Sequence, residues 1–172
     1  GSFDYSAQEP RWMMHYASLT PSTKDNDKVR EIVALYQTDD LDFHQLAADI
    51  AGVDRTLAKT INLGIMYGMG LGKMAKTLGD IPFEDARTIR DEYDAKVPFI
   101  RALASAVMGA ASRRSGVRTL LGRKCRFELW EPNLFVSSKA LPREEAVIEY
   151  GLNLKRAYLY RALNRLIQSS SA

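Results

Sequence analysis

Apolar residues recur at intervals of three and four over most of this chain, which is the spacing of one face of a helix. The pattern predicts helices at residues 27–37, 83–96 and 98–114, and another that begins near residue 11. Residues 41–52 predict a short helix that ends at Gly52, because glycine commonly follows a last helical turn. Pro98 suits a first turn, where its missing N–H is no loss.

The later part of the chain is patterned differently. Residues 117–130 predict a strand, a turn at Gly122 and a second strand, and residues 131–142 predict a surface loop. From residue 143 onward the helical spacing returns through Val147, Leu152, Leu154, Leu159, Leu163 and Leu166. The expected fold class is therefore mainly α with one or two short β-strands.

Composition adds limits to this picture. The chain has 172 residues, of which 46% are hydrophobic, so one domain with a sizeable core is expected. Cys125 is the single cysteine and cannot form an internal disulfide, which is typical of a reducing compartment. The sequence contains no apolar run of membrane-spanning length and no signal peptide, which predicts a cytoplasmic protein without membrane contact.

The net charge of +3 is modest, but the basic residues are clustered. Six of them lie at residues 113–126 with no acidic residue between: Arg113, Arg114, Arg118, Arg123, Lys124 and Arg126. Such a run is most often a solvated face, and nucleic acid is the usual partner when it is a binding site. Residues 55–79 also lack Asp and Glu, so the local field there is positive and suits an anionic ligand.

Residues 55–72 carry the most informative helical face. Its members are Arg55, Lys59, Asn62, Leu63, Met66 and Tyr67. The face is cationic at its start and apolar at its end, although an amphipathic core helix explains the spacing equally well. Glycines at 64, 68, 70 and 72 then weaken the helix, which indicates a hinge or close packing by a neighbouring backbone.

The literal string decides between these readings of residues 55–72. It resembles motif B of the family A DNA polymerases, the bacterial polymerase I type. The matching pattern is Arg55, three residues, Lys59, seven residues, and then Tyr67-Gly68. The resemblance implies that Arg55 and Lys59 neutralise a nucleotide triphosphate, with Lys59 also catalytic. It also implies that Leu63 and Tyr67 pack on the base and sugar. Leu63 departs from the Phe or Tyr that is usual in the family.

Residues 3–17 resemble motif A of the same family. The match is Asp4, Tyr5 and Ser6, followed by Glu9 and Arg11. The resemblance implies that Asp4 is catalytic and binds Mg²⁺ with the Tyr5 carbonyl. Glu9 would be the steric gate against a ribose hydroxyl, and Arg11 would contact DNA. On its own, an Asp near a chain start is more often a turn or cap residue.

Three further segments extend the resemblance over nearly the whole chain. The Asp-x-His element at residues 42–44 implies that His44 lies near the phosphates, although an isolated histidine is more often a hydrogen-bonded structural residue. Arg118 and Arg123 resemble residues near the template strand. Asn164 and Gln168 resemble the helix that reaches the primer–template minor groove, and otherwise are two exposed polar residues one turn apart.

The resemblance implies the fingers and part of the palm of a right-hand DNA polymerase of phage type. Residues 1–20 would be a palm segment, 21–115 the fingers, and 116–172 a hairpin, loop and helix that return to the palm. The implied partners are a DNA primer–template and deoxynucleoside triphosphates. The family's His-Asp-Glu motif is absent, so a complementary polymerase chain that carries it is expected, and the isolated chain is expected to be inactive.

Three other interpretations stay open at this point. A single-subunit RNA polymerase shares the Arg-Lys-Tyr-Gly helix, although Glu9 favours deoxynucleotides. A non-catalytic nucleic-acid-binding module would keep the basic segments without needing Asp4. A purely structural helical domain would bind neither nucleotide nor nucleic acid.

Overall fold

The structure is a computed structural model that describes residues 8–38, 41–66, 68–134 and 138–171. Most of these residues are helical. In chain order the helices are α1 (Gln8–Leu19), α2 (Asp27–Thr38), α3 (Phe43–Ala51), α4 (Arg55–Met66), α5 (Leu71–Thr77), α6 (Phe83–Lys96), α7 (Pro98–Arg114), α8 (Arg143–Tyr150) and α9 (Ala162–Ser171). The predicted mainly helical fold class is confirmed.

Local signals in the sequence set several helix ends. Gly52 closes α3 in the left-handed conformation at φ 69°, and its N–H donates to the Ala48 carbonyl. Pro98 occupies the first turn of α7 as predicted. The predicted bounds of α6 and α7 agree with the structure, whereas α1 begins three residues earlier than predicted.

A β-hairpin follows α7. β1 (Gly116–Arg118) pairs antiparallel with β2 (Lys124–Arg126), which confirms the predicted strand, turn and strand. Gly122 lies in the turn at φ 88°. A Cβ at Gly116 would lie 2.5 Å from the Cys125 carbonyl oxygen, so the two strands approach closely at a glycine.

A second sheet corrects two predictions. β3 (Leu129–Pro132) lies between β4 (Leu141–Pro142) and β5 (Leu154–Arg156), so both ends of the predicted loop at residues 131–142 are strands. The described residues thus contain five short strands rather than one or two.

The continuous helix predicted from residue 143 onward is also wrong. α8 ends at Tyr150, Gly151 adopts φ 80°, and β5 precedes one turn of 3₁₀ helix at Leu159–Arg161. The side chain of Leu152 is 86% exposed, so the apolar spacing in this segment did not mark one buried face.

The core joins helices from both ends of the described chain. Apart from Tyr93, its largest fully buried side chains are Met13, Met14, Val29, Ile32, Phe43, Ile61, Ile100, Leu103, Leu163 and Ile167. Each side chain of this size contributes roughly 1.5–3 kcal/mol when it is buried. α1 and α9 pack side by side, and the Tyr16 hydroxyl lies 2.7 Å from Ser170 Oγ. Residues 154 positions apart in the sequence are therefore packed in the same core.

Candidate functional site

Two carboxylates fix the first turn of α4. Asp54 precedes the helix, and its Oδ1 accepts hydrogen bonds from the N–H groups of Thr56 and Leu57 at 2.9 and 3.1 Å. This is an N-cap, which satisfies donors that lack a helical partner. Asp42, at the start of α3, accepts a hydrogen bond from Nε of Arg55 at 2.8 Å. Arg55 is therefore held at the junction of α3 and α4.

Asp42 serves both helices at once. Its Oδ1 caps α3 by accepting the N–H groups of His44 and Gln45, while its Oδ2 holds Arg55. Burial alone would raise the pKa of the Asp42 carboxyl, but the hydrogen bonds from Arg55 and from the Gln45 N–H outweigh burial and lower that pKa. Both side chains remain about half exposed, at 46% for Asp42 and 48% for Arg55. An ion pair this exposed contributes about 0–1 kcal/mol, so a more highly charged ligand can displace Asp42 from Arg55.

The predicted phosphate ligands share one surface. Lys59 is exposed one turn beyond Arg55, and the half-buried Leu63 lies one turn further along α4. His44 reaches this surface from α3, close enough for the charges of Arg55 and Lys59 to act on it. Burial lowers the pKa of the His44 imidazole, the two cations lower it further, and Asp42 opposes them. We call His44, Arg55 and Lys59 the cationic corner.

A buried hydrogen-bond chain supports the cationic corner from behind. The Tyr93 hydroxyl, on α6, donates to Asn62 Oδ1 at 2.7 Å, and Asn62 Nδ2 lies 3.4 Å from His44 Nδ1. Asn62 is fully buried and Tyr93 is 2% exposed, so water does not reach either group. The chain links α3, α4 and α6 through polar atoms that depend on one another.

The end of α4 is closed by glycine rather than by side chains. Gly68 has φ 64°, and the Met69 N–H donates to the Gly64 carbonyl at 2.7 Å, which is the pattern of a Schellman closure. A Cβ at Gly68 would lie 2.5 Å from the carbonyl oxygen of Tyr160, whereas one at Gly70 would meet nothing within 4 Å. Close packing by a neighbouring backbone therefore explains Gly68 but not Gly70.

The remaining predicted nucleotide and metal site residues belong to the segments of motifs A and B. Asp4, Tyr5 and Tyr67 lie outside the described residues, so their predicted roles remain predictions. Glu9 and Arg11 lie on α1, and the guanidinium of Arg11 sits 4.8 Å from the ring centre of Tyr36. Within the described ranges, no group of three or more His, Cys, Asp or Glu side chains is placed to hold a metal ion.

The predicted DNA contacts lie on the hairpin and on α9. Arg118 donates to the Gly122 carbonyl at 3.0 Å, which fastens the hairpin turn, while Arg123 is exposed at that turn. On α9, Asn164 is half-buried and Gln168 is exposed one turn away. α9 packs against α1, α7 and β1, so it connects the hairpin to the helix that carries Glu9.

A cleft of about 610 Å³ lies between α7, the hairpin and α9. Apolar side chains that include Val107 and Leu166 form part of its wall, and four cationic residues surround it with one acid, Glu128. The cationic residues are Arg114, Arg118, Lys124 and Arg126. All four belong to the basic run of the sequence, which the fold thus gathers around one concave surface.

The comparison with protein families agrees with this arrangement. The family model described as DNA polymerase family A matches residues 1–172, which is the whole chain. This chain belongs to DNA polymerase family A. The match supports the motif resemblance over the alternative of a single-subunit RNA polymerase.

Known family A relatives include proteins of phages. A DNA-directed DNA polymerase of Pseudomonas phage M6 is 32% identical over 208 aligned residues, which cover 99% of this chain and 28% of the phage protein. DNA polymerase DpoZ of Acinetobacter phage SH-Ab 15497 is 31% identical over 150 residues, covering 72% of this chain and 22% of that protein. The chain thus spans between a fifth and a third of the length of these two relatives.

A solved structure shows the same fold. It is described as the POL domain of Pol1 from M. smegmatis in complex with DNA primer-template and dNTP. The likeness has a TM-score of 0.62 at 23% identity and covers 98% of this chain and 26% of that chain. The polymerase fold of this family A chain is therefore shown by structure as well as by sequence.

The sequence predicts the residues of the cationic corner but not the buried side chains that support them. Asn62 was placed on the α4 face, yet nothing indicated that Tyr93, 31 residues later, would bond to it. Tyr160 was likewise not connected with Gly68. No local pattern carries these contacts, because each joins residues far apart in sequence. Separately, no helix in the described ranges is both long and apolar enough to cross a bilayer.

Proposed function

We propose that this chain forms the nucleotide-binding and template-facing part of a DNA-directed DNA polymerase. The observation that carries the proposal is the cationic corner, where α3 and α4 bring one imidazole and two cations together beside the half-buried Leu63. Positive groups on a rigid junction suit a triphosphate, whose negative charge is spread over several oxygens. Leu63 lies next to them as an apolar surface for a sugar or base.

The reaction we propose is template-directed nucleotide addition. A primer 3′ oxygen attacks the α-phosphate of a deoxynucleoside triphosphate, and pyrophosphate leaves. Arg55 and Lys59 would neutralise charge on the phosphates, and Lys59 is the nearer candidate for a catalytic role because it is not engaged by Asp42. Glu9 on α1 is proposed as the steric gate, and Tyr67 as a second contact to the base and sugar. Residues 1–20 would belong to the palm and residues 21–115 to the fingers.

Family A DNA polymerases generally use a divalent metal ion. Mg²⁺ is the proposed cofactor, with Asp4 and the Tyr5 carbonyl as its ligands. These residues supply hard oxygen ligands of the type that Mg²⁺ prefers, and bound Mg²⁺ would neutralise phosphate charge. Two-metal phosphoryl transfer in the family uses a second carboxylate from the His-Asp-Glu motif, and a complementary chain that carries this motif would supply it.

DNA contacts are proposed for the hairpin and α9. Arg118 and Arg123 would bind template phosphates, Arg11 would contact the duplex near α1, and Asn164 and Gln168 would face the minor groove. Phosphate contacts position the duplex without reading its sequence. Such a polymerase would act in the cytoplasm, or in the host cytoplasm if a phage encodes it.

The first experiment measures nucleotide binding, the step in which the cationic corner is proposed to act. Lys59→Ala and Lys76→Ala each remove one exposed lysine, from the cationic corner and from the last turn of α5 respectively. We expect Lys59→Ala to weaken deoxynucleoside triphosphate binding by about tenfold or more, since charged hydrogen bonds contribute about 1.5–3 kcal/mol. Lys76→Ala should bind like the parent. Equal affinities of all three chains would contradict the proposal.

The second experiment is primer extension with Mg²⁺ and four deoxynucleotides, by this chain alone and mixed with a candidate chain that carries the His-Asp-Glu motif. Activity in the mixture that disappears with Asp4→Ala would support a two-chain polymerase. Activity of this chain alone would show that the need for a second chain is wrong.

A non-catalytic nucleic-acid-binding module is the second candidate, favoured by the cationic cleft beside the hairpin. Such a module would bind primer–template with the usual strong dependence on salt but without dependence on Mg²⁺ or Asp4. Nucleotide binding that is lost with Asp4→Ala or by removing Mg²⁺ would favour the polymerase. Duplex binding without any nucleotide binding would favour the module.

A further inference from the structure

The buried chain of Tyr93, Asn62 and His44 restricts where hydrogen atoms lie. The Tyr93 hydroxyl is 2.7 Å from Asn62 Oδ1, and Asn62 Nδ2 is 3.4 Å from His44 Nδ1. A carbonyl oxygen accepts, so the hydroxyl donates its hydrogen to Oδ1. An amide nitrogen donates and cannot accept, so His44 Nδ1 must offer a lone pair. In a neutral imidazole the proton then lies on Nε2.

The opposite orientation of the Asn62 amide is disfavoured by burial. Turning the amide would place its NH₂ group against the Tyr93 hydroxyl, which would then have to accept. The hydroxyl hydrogen would lose its acceptor at a position where Tyr93 is 2% exposed and water is excluded. A buried donor without a partner is costly, so Tyr93 sets the direction of the amide.

The charges around His44 act in the same direction. On α3 it faces Asp42, and on α4 it faces Arg55 and Lys59. From α6, Tyr93 acts on it through Asn62. Two cations and burial oppose a third positive charge at this point, and Asp42, which favours that charge, is engaged by Arg55. Hydrogen bonding and electrostatics therefore both favour an uncharged ring.

We propose that Tyr93 and Asn62 are positioning residues that hold His44 as a neutral Nε2–H donor for a phosphate oxygen of the bound nucleotide. The choice of ligand rests on the proposed function, whereas the position of the hydrogen does not depend on any ligand. His44 would add one directed hydrogen bond to the charges of Arg55 and Lys59 without adding a charge. That bond would persist unchanged over the pH range in which the ring stays neutral.

Nitrogen NMR of the ¹⁵N-histidine-labelled chain tests the position of the hydrogen directly. The chain has two histidines, His15 and His44, and a His15→Gln variant assigns the spectrum. We expect His44 Nδ1 to resonate as an unprotonated imine nitrogen and Nε2 as a protonated one. A protonated Nδ1 in the folded parent chain would overturn the proposal, and this test needs no variant of Tyr93 or Asn62.

Two tyrosine variants test which hydroxyl is responsible. Tyr93→Phe removes the donor that orients Asn62, and Tyr16→Phe is the matched control because its buried hydroxyl bonds to Ser170 elsewhere in the fold. In Tyr93→Phe we expect His44 Nδ1 to move upfield as it gains hydrogen, and the ring to titrate at higher pH. Tyr16→Phe should match the parent. A folded Tyr93→Phe chain with an unchanged His44 spectrum would overturn the role of Tyr93.

A nucleotide titration separates this inference from the proposed function. Binding of a deoxynucleoside triphosphate is measured by calorimetry, and the His44 resonances are followed in the same samples. Binding accompanied by a change at Nε2 supports the phosphate bond. Binding with Nε2 unchanged would overturn that bond, whereas no binding by the folded chain would overturn the proposed function instead.

Discussion

At its first turns α4 is held by charged and hydrogen-bonded side chains, whereas the chain beyond its last turn is held by glycine packing. Asp54 caps the start, Asp42 holds Arg55, and Asn62 is fixed between His44 and Tyr93. Beyond Gly64 the closure depends on backbone conformation and on contact with Tyr160. Side-chain hydrogen bonds and an ion pair therefore fix the first region, whereas backbone conformation and close packing fix the second.

The difference matters because the two regions would have different tasks. A site for phosphates needs donors that keep their positions, and side chains with several partners provide that. A helix that moves during a catalytic cycle needs a joint whose conformation changes at few residues. The hinge in this segment is still a prediction.

The largest effect is expected from Gly68→Ala. The substitution forces an alanine to φ 64° and sets its Cβ 2.5 Å from the Tyr160 carbonyl oxygen, which cannot move without the backbone. We expect a loss of about 2 kcal/mol or more in the free energy of unfolding, measured with urea.

Gly70→Ala is the matched control in the same segment between α4 and α5. Its φ is −73° and a Cβ there meets nothing within 4 Å, so the entropic gain of about 0.4–1 kcal/mol offsets much of the cost of alanine at the N-cap of α5, and the variant should lie within about 1 kcal/mol of the parent. Similar stabilities of the Gly68 and Gly70 variants would show that the contact with Tyr160 does not hold the joint.

A smaller effect is expected at the other end of α4. Asp54→Ala removes the cap and should cost about 1 kcal/mol of unfolding free energy, with faster amide exchange confined to the first turn. Asp49→Ala is the control, because it removes an exposed carboxylate on α3 that bonds to Gln45 across one turn. If both variants lose the same stability, the start of α4 is not held by its cap.

The contrast between the two regions also explains what sequence could predict. Helix bounds were predicted well where a proline or glycine marks them, as at Pro98 and Gly52. The family resemblance implies that Arg55, Lys59 and His44 all lie near the phosphates, and the structure brings them together because α3 and α4 are neighbours joined by a short turn. The function of those residues still depends on the family resemblance rather than on their spacing.

Other features could not be predicted, because their causes are contacts distant in sequence. Leu152 and Leu154 fit a helical period, yet Leu154 pairs with Pro132 across β5 and β3, and Leu152 lies before β5 with an exposed side chain. The bond between Tyr93 and Asn62 joins residues on different helices. In both places tertiary contacts override the local pattern.

Acid should destabilise the part of the fold around the start of α4, which side chains hold in place. The pKa of His44 is lowered by burial from its ordinary value of 6.5, so the unfolded chain binds a proton more readily than the folded one. The stabilisation from neutral His44 is complete above pH 6.5 and is lost as the pH falls through the lowered pKa. The lowered pKa of Asp42 gives the same sign at lower pH, below its ordinary value of 3.8.

The measurement is the free energy of unfolding in urea at several pH values between 7.5 and 5. The parent chain should lose stability over this range, and His44→Gln should lose less of it. His15→Gln on α1 is the control and should follow the parent. A His44→Gln chain with the parent's full pH dependence would assign the acid sensitivity to other groups.

The smallest expected effect comes from the ion pair between Asp42 and Arg55. Asp42→Asn keeps an oxygen to cap α3 but removes the charge that competes with phosphates for Arg55. Losing the fixed position of Arg55 costs about 0–1 kcal/mol, since the pair is half exposed. Each unit of charge repulsion at 4 Å in water is worth about 1 kcal/mol, and a triphosphate carries several. Removing the repulsion should therefore dominate, and a fluorescence titration should show several-fold tighter binding that fades with added salt. Weaker binding at every salt concentration would mean instead that Asp42 holds Arg55 in the orientation that the nucleotide needs.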